Sequence, residues 1–278
     1  MLMTRIATAL VLLPIVVGSV FYLERDAFAC VAGAFFLVAG WEWAGMMRSV
    51  TQSSVNKPLR VLWCVALLGG MVLSELYRPV WLLTWLPAWW LLALGLVLAY
   101  PRGAAAWHRL PVQSVIGLLL LVPSWQAVVQ IQDQGALGLA GAWALMFILL
   151  WVWAADTGAY FAGRALGRHK LAPDVSPGKT IEGLLGGVAL ALTVVGVVTW
   201  LVPISGDRVA ILAVAVVTVL ASVLGDLFES MVKRQAGVKD SGTILPGHGG
   251  MLDRIDSVTA ALPVALAGFS WASLPGGL

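Results

Sequence analysis

Apolar residues run in blocks of membrane length along this chain, separated by short polar and charged stretches. A hydrocarbon core of ~30 Å takes about 20 apolar residues as helix, at a rise of ~1.5 Å each. Blocks of that order lie at 6–23, 27–46, 59–75, 80–100, 112–130, 136–163, 182–203, 208–232 and 257–275. The pattern predicts an all-α, polytopic membrane helix bundle of about nine transmembrane helices. Pro87 is expected to kink the fourth, which a membrane bundle tolerates. The first block follows Arg5, and Ala27-Phe28-Ala29 has the form of a signal cleavage site. Glu24, Arg25 and Asp26 separate the block from that site, and another membrane-length run follows at once. The expectation is an uncleaved first helix joined to the second by a tight hairpin.

Composition supports the same class. Mean hydropathy is +0.92, with 60% hydrophobic and 11% charged residues, which marks an integral membrane protein. Cys30 and Cys64 fall in separate apolar runs without paired or metal-ligand spacing, so neither a disulfide framework nor a zinc site is expected. Orientation follows from alternate loops. With the N-terminus cytoplasmic, fourteen Lys and Arg (Arg5, Arg48, Lys57, Arg60, Arg102, Arg109, Arg164, Arg168, Lys170, Lys179, Lys233, Arg234, Lys239, Arg254) lie inside and three (Arg25, Arg78, Arg208) outside.

The two halves differ in chemistry. Residues 1–135 read as packing helices and a possible dimer interface. Trp41 and Trp43 close the second block and Trp81, Trp85, Trp89 and Trp90 open the fourth, where interfacial anchoring is the expected role. Glu42 lies near the cytoplasmic end of the second helix, where snorkelling, pairing with a base and joining the site are all open. Residues 136–278 hold the catalytic candidates. Asp156 sits in an apolar span near its cytoplasmic end, a costly place for an acid; a functional role and a structural pair with Arg164 weigh about equally. Gly158 and Gly163 allow close helix approach.

The next loop contains Ser176-Pro177-Gly178-Lys179-Thr180. Gly-Lys-Thr is similar to a phosphate-binding loop, but position 173 is Pro instead of the first glycine and no strand precedes it. Ser176, Lys179 and Thr180 nonetheless stand at the predicted start of a helix, where free N–H groups favour an anion, or where Ser176 acts as an N-cap. Further on, Asp226, Glu229, Ser230 and Lys233 share one helical face by their i, i+3, i+4, i+7 spacing. The loop after them interleaves Arg234, Lys239 and Arg254 with Asp240, Asp253 and Asp256 around Gly247-His248-Gly249-Gly250. Carboxylates, cations and flexible backbone together suit a metal and polyphosphate.

These residues resemble the signature of the phosphatidate cytidylyltransferase (CDP-diacylglycerol synthase) family. The matching positions are Ser230, Lys233, Arg234, Lys239, Asp240, Gly242, Pro246, His248, Gly249, Gly250, Asp253, Arg254 and Asp256. The run from Ser176 to Gly183 and the Asp156-x-Gly-Ala-Tyr segment are similar to the same family. The resemblance implies transfer of the cytidylyl group of CTP to phosphatidic acid, with pyrophosphate released. It also implies Mg²⁺, with a second cation such as K⁺, and a homodimer in the bilayer with no nucleic-acid partner. It places the protein in the inner (cytoplasmic) membrane, multi-pass, with its active site on the cytoplasmic side.

Within that reading Asp226 and Asp253 are the expected metal ligands, with Asp256 next, and Lys233 and Arg254 join Asp226 and Asp253 as catalytic groups. Ser176, Lys179, Thr180, Ser230, Arg234, Lys239, His248, Gly249 and Gly250 are expected to bind substrate, the two glycines by letting backbone approach the nucleotide. Asp156, Glu229 and Asp240 are further site candidates. A cation transporter using Asp156, Asp226 and Glu229 is the rival from another class, and it predicts flux without CTP. A CDP-alcohol phosphotransferase is disfavoured because its Asp-Gly-x₂-Ala-Arg motif is absent.

Overall fold

The computed structural model describes residues 2–47 and 55–277, and Arg48 of the cation count lies outside them. The chain is a helix bundle. Its helices are α1 (Leu2–Tyr22), α2 (Arg25–Met46), α3 (Lys57–Tyr77), α4 (Val80–Thr84), α5 (Trp89–Ala99), α6 (Ala104–Trp107), α7 (Leu110–Gln134), α8 (Gly141–Leu166), α9 (Ile181–Leu201), α10 (Arg208–Ala236) and α11 (Leu252–Trp271). All nine predicted blocks fall on helix. Among the described residues, seven helical stretches (α2, α3, α4–α5 taken together, α7, α8, α9 and α10) are long and apolar enough to cross a membrane.

The differences from the sequence expectation have local causes. The fourth block is broken, not merely kinked: a 3₁₀ turn at Leu86–Ala88 carries Pro87, whose missing N–H and ring cannot continue α4. The sixth starts later, at Gly141, because residues 136–139 close a small turn bridged between Ala136 and Leu139. The last starts at Leu252, five residues before the predicted 257, so Asp253 and Asp256 ride on α11 and not on the loop. The loop before α9 folds as an antiparallel hairpin, β1 (Lys170–Ala172) with β2 (Ser176–Thr180), pairing Lys170 with Thr180 and Ala172 with Ser176. Ser176 is therefore a strand residue. The N-cap of α9 is Thr180, whose hydroxyl accepts from Gly183 N at 3.1 Å.

Two tryptophans assigned to the interface belong to the core. Trp43 is buried and donates Nε1–H to the Gln113 carbonyl (3.1 Å), and Trp90 is buried against Phe228. Trp81 and Trp85 are exposed on the outside of the bundle, as an anchor requires.

Small residues set the closest helix contact. A side chain at Gly158 of α8 would meet the Gly186 carbonyl of α9 at 2.5 Å, and one at Gly187 would meet the Ala155 carbonyl at 2.6 Å. Only glycine permits backbones that near, and the approach holds the starting turn of α9 against the end of α8. α10 meets α11 in the same manner, with Gly225 facing the Asp256 carbonyl. At one end of the bundle Arg25 bridges Asp133 (3.0 Å) and Glu75, and Arg78 joins Glu75 at 2.8 Å, tying α2, α3 and α7 together. The polar candidates collect at the opposite end.

Candidate active site

Two adjoining groups of charged residues make the site. The first lines a cleft of about 480 Å³ between α8, α9, α10 and the hairpin. Asp156, Tyr160 and Arg164 come from α8, Lys179 and Thr180 from the hairpin and its cap, and Asp226 from α10; Ala159, Leu171, Leu184 and Val223 form the apolar remainder. Lys179 Nζ lies 2.8 Å from Asp226 Oδ2, so the hairpin delivers a cation to the α10 acid face. The proposed Asp156–Arg164 pair does not form. Arg164 instead donates to Tyr160 Oη at 2.9 Å, and Asp156 stands exposed to the cleft. The hairpin itself is fixed at its base by Glu182, which accepts from Arg168 N (3.1 Å) and bonds His169 Nδ1 (2.6 Å). Near its tip, Arg234 of α10 donates to the Val175 carbonyl at 3.3 Å.

The second group lies under the loop between α10 and α11. The predicted single face of α10 is observed as two pairs one turn apart: Ser230 Oγ donates to Asp226 Oδ1 at 3.2 Å, and Lys233 Nζ to Glu229 Oε2 at 2.6 Å. Lys233 also donates to Asp253 Oδ1 at 2.6 Å. Glu229 and Asp253 are buried, with side chains 2% and 8% exposed, so this lysine neutralises two carboxylates taken out of water. An ammonium has three N–H donors, which leaves one for another partner.

Asp253 Oδ2 accepts from Gly250 N (2.7 Å), Ser241 N (2.9 Å) and Ser241 Oγ (3.0 Å). Both oxygens of this expected metal ligand are thus occupied by protein donors. Asp226, whose two oxygens hold Ser230 and Lys179, and Asp256 are the acids at the junction of the two groups. Their charges interact, and Asp256 also feels Lys233 and Lys179. The α10–α11 contact at Gly225 is what brings them together.

The glycines of the loop also answer a packing constraint. At Gly249 (φ +84°) a side chain would come within 2.7 Å of Asp253 Oδ2, and at Gly250 it would collide with Ser241 Oγ and the Glu42 carboxyl. Carboxylates fill the space that a Cβ would need. The segment Leu245–Gly249 closes as a tight turn with a bridge between its ends, in which His248 N donates to the Leu245 carbonyl (2.9 Å) and Arg254 donates to the His248 carbonyl. The Pro246 carbonyl accepts from Thr8 of α1 at 2.9 Å. Lys239 and Asp240 are exposed on the loop at the edge of the second group, where the space above Gly249 is bounded by both Asp253 and Asp240. Ser176 and Arg254 stand at the edges, engaged with backbone.

Of two further participants, sequence reasoning left one open and did not single out the other. Glu42, left undecided, is buried at 4% exposure with Oε2 accepting from Leu252 N (2.8 Å) and Ser241 Oγ (3.2 Å). An acid in an apolar span was its only signal. Ser241 links Glu42 to Asp253, and nothing in its residue type marks it.

The model of the cytidylyltransferase family matches residues 3–271. A phosphatidate cytidylyltransferase of Pseudomonas aeruginosa is 43% identical over 280 residues, covering 98% of each chain. One of Haemophilus influenzae is 38% identical over 284 residues, covering 95% of this chain and 96% of its own. A third, of Staphylococcus epidermidis, is 49% identical over 120 residues, or 43% of this chain and 46% of its own. Similarity that runs through α1 as well as through the loop signature extends beyond the motif-bearing half, and on it the chain belongs to the cytidylyltransferase family.

Proposed function

We propose that the protein transfers the cytidylyl group of CTP to phosphatidic acid, giving CDP-diacylglycerol and pyrophosphate. Relatives aligned from end to end carry the name phosphatidate cytidylyltransferase. The carrying observation is the Lys179–Asp226 pair in a cleft that also holds Asp156 and Arg164 beside the apolar Ala159, Leu171, Leu184 and Val223. Cations and acids beside apolar surface suit a nucleotide polyphosphate arriving from water and a lipid phosphate arriving from the leaflet.

An oxygen of the phosphatidate phosphate attacks the α-phosphorus of CTP. A new P–O bond forms as the bond to the bridging oxygen of the β-phosphate breaks, and pyrophosphate leaves with the electron pair. The protein's share is to align the two phosphates and stabilise charge. Lys179, Arg164 and the free N–H of Lys233 face the phosphates, while Arg234, Lys239, Arg254 and His248 form the outer rim.

The donor set fits Mg²⁺. Among the described residues no three acidic, His or Cys groups converge to hold a metal unaided. Mg²⁺ is commonly held by only one or two carboxylates, with substrate phosphates completing its shell. Asp226 and Asp256 would hold it, with Lys179 already marking Asp226 as a cation-binding acid. Asp253 would join only by releasing Lys233. The bound ion supplies neutralisation of phosphate charge. A second cation such as K⁺ rests on the family resemblance alone.

The fourteen-to-three cation bias supports nine crossings with the site at the cytoplasmic face of the inner membrane. The test is pyrophosphate release by purified protein in detergent with CTP, phosphatidate and Mg²⁺. Release that requires both substrates, and falls about 100-fold or more in Asp226→Asn, is expected. Release that is indifferent to phosphatidate, or CTP that fails to bind, overturns the reading.

A further inference from the structure

We propose that Glu42, from the half of the chain without motifs, is a positioning residue that clamps the loop signature onto α11. The inference rests on the cytidylyltransferase reading for its effect on turnover, and on geometry alone for the clamp.

Three observations carry it. First, α11 has no cap of its own: Met251, at the N-cap position, offers no side-chain acceptor, yet Leu252 N donates to Glu42 Oε2 at 2.8 Å. A carboxylate from another helix therefore satisfies a first-turn N–H and meets the positive end of the helix dipole. Second, the same oxygen lies 3.2 Å from Ser241 Oγ, and Ser241 holds Asp253 Oδ2 through both its N–H (2.9 Å) and its hydroxyl (3.0 Å). Asp253 in turn fixes Lys233 at 2.6 Å. Third, Gly242 and Gly250 lack side chains at the places where the Glu42 carboxyl sits, since a Cβ at either would run into it. Two glycines of the loop are thus shaped around an acid from α2, and the relay Glu42–Ser241–Asp253–Lys233 ends on the buried ammonium whose third N–H the proposed function gives to the phosphates.

The prediction is a split between turnover and binding. Glu42→Ala leaves Leu252 N without its acceptor and Ser241 Oγ with Asp253 Oδ2 alone, lets the first turn of α11 and Asp253 shift, and lowers kcat about 100-fold, as a misplacement of order 1 Å does. KM for CTP stays within a few-fold, because Glu42 touches no substrate. Glu42→Gln keeps an oxygen for Leu252 N and restores most of the lost kcat. Gly242→Ala, which pushes on the carboxyl from the loop side, reproduces the alanine phenotype and serves if Glu42→Ala fails to fold. Hydrogen exchange read by mass spectrometry over 240–256 supplies an arm independent of activity. Faster exchange there in Glu42→Ala and Gly242→Ala, with α8 and α9 unchanged, is the expected result. Unaltered exchange in that segment, or wild-type kcat per folded molecule in Glu42→Ala, overturns the proposal. A wild-type protein that releases no pyrophosphate sinks the reaction instead, while the exchange arm still decides the clamp.

Discussion

Lys233 illustrates how much a single residue type fails to announce. From the sequence it is a catalytic cation on the helical face of Asp226; in the structure it is buried between Glu229 and Asp253 at 2.6 Å from each. Replacing it by methionine strands two buried carboxylates, and a loss of about 3–5 kcal/mol is expected, read as a fall in apparent melting temperature in detergent. Adding Glu229→Gln to that variant should recover part of the stability and none of the activity. Lys179→Ala makes the contrast, since its pair with Asp226 is partly exposed. It should cost at most ~1 kcal/mol of stability while lowering pyrophosphate release by about 100-fold or more. Asp226, Glu229 and Lys233 were legible as site members because they interrupt an apolar helix, and Lys179 and Asp253 because they sit in the loop motifs. Their partners were not, because Ser241 and Glu42 meet only through an α2–α11 contact that no local spacing encodes.

At the scale of elements, hydropathy predicted nearly every helix, and its failures lie where tertiary partners override it. The early start of α11 depends on Glu42 and Asp253 satisfying N–H groups that a bare sequence leaves open. The hairpin before α9 was invisible because five residues of Ser176-Pro177-Gly178-Lys179-Thr180 carry no alternating pattern; Glu182 at its base and Arg234 near its tip hold it in shape. The close packing of α8 on α9, by contrast, was readable in Gly158. Gly158→Ala would place a methyl within 2.5 Å of the Gly186 carbonyl and 2.9 Å of Leu190 Cβ. A destabilisation of about 1–3 kcal/mol is expected from that overpacking, with activity lost in parallel as Thr180 and the hairpin move. Thermal unfolding and pyrophosphate release measured on one preparation check both.

For the whole molecule, the charge bias and the bundle's two ends make one prediction. The Arg25–Glu75–Arg78–Asp133 network and the active-site end lie at opposite faces, so cysteines placed at Arg78 and Lys239 should label from opposite sides of the membrane. Cys30 and Cys64 would first be changed to serine. Labelling of both positions from one side would refute the arrangement.

α10 has 29 residues, from Arg208 to Ala236. At ~1.5 Å per residue it is about 43 Å long, against a hydrocarbon core of ~30 Å. Its surplus turns are those that carry Asp226, Glu229 and Lys233. The helix therefore works as a gauge of depth: the thickness of the host membrane sets how far these groups stand above the acyl chains, at the level where a lipid's phosphate lies. Reconstituted into bilayers of graded chain length, the protein should show an activity optimum, falling in thick membranes that draw the carboxylates down among hydrocarbon and in thin ones that lift them clear of the headgroup.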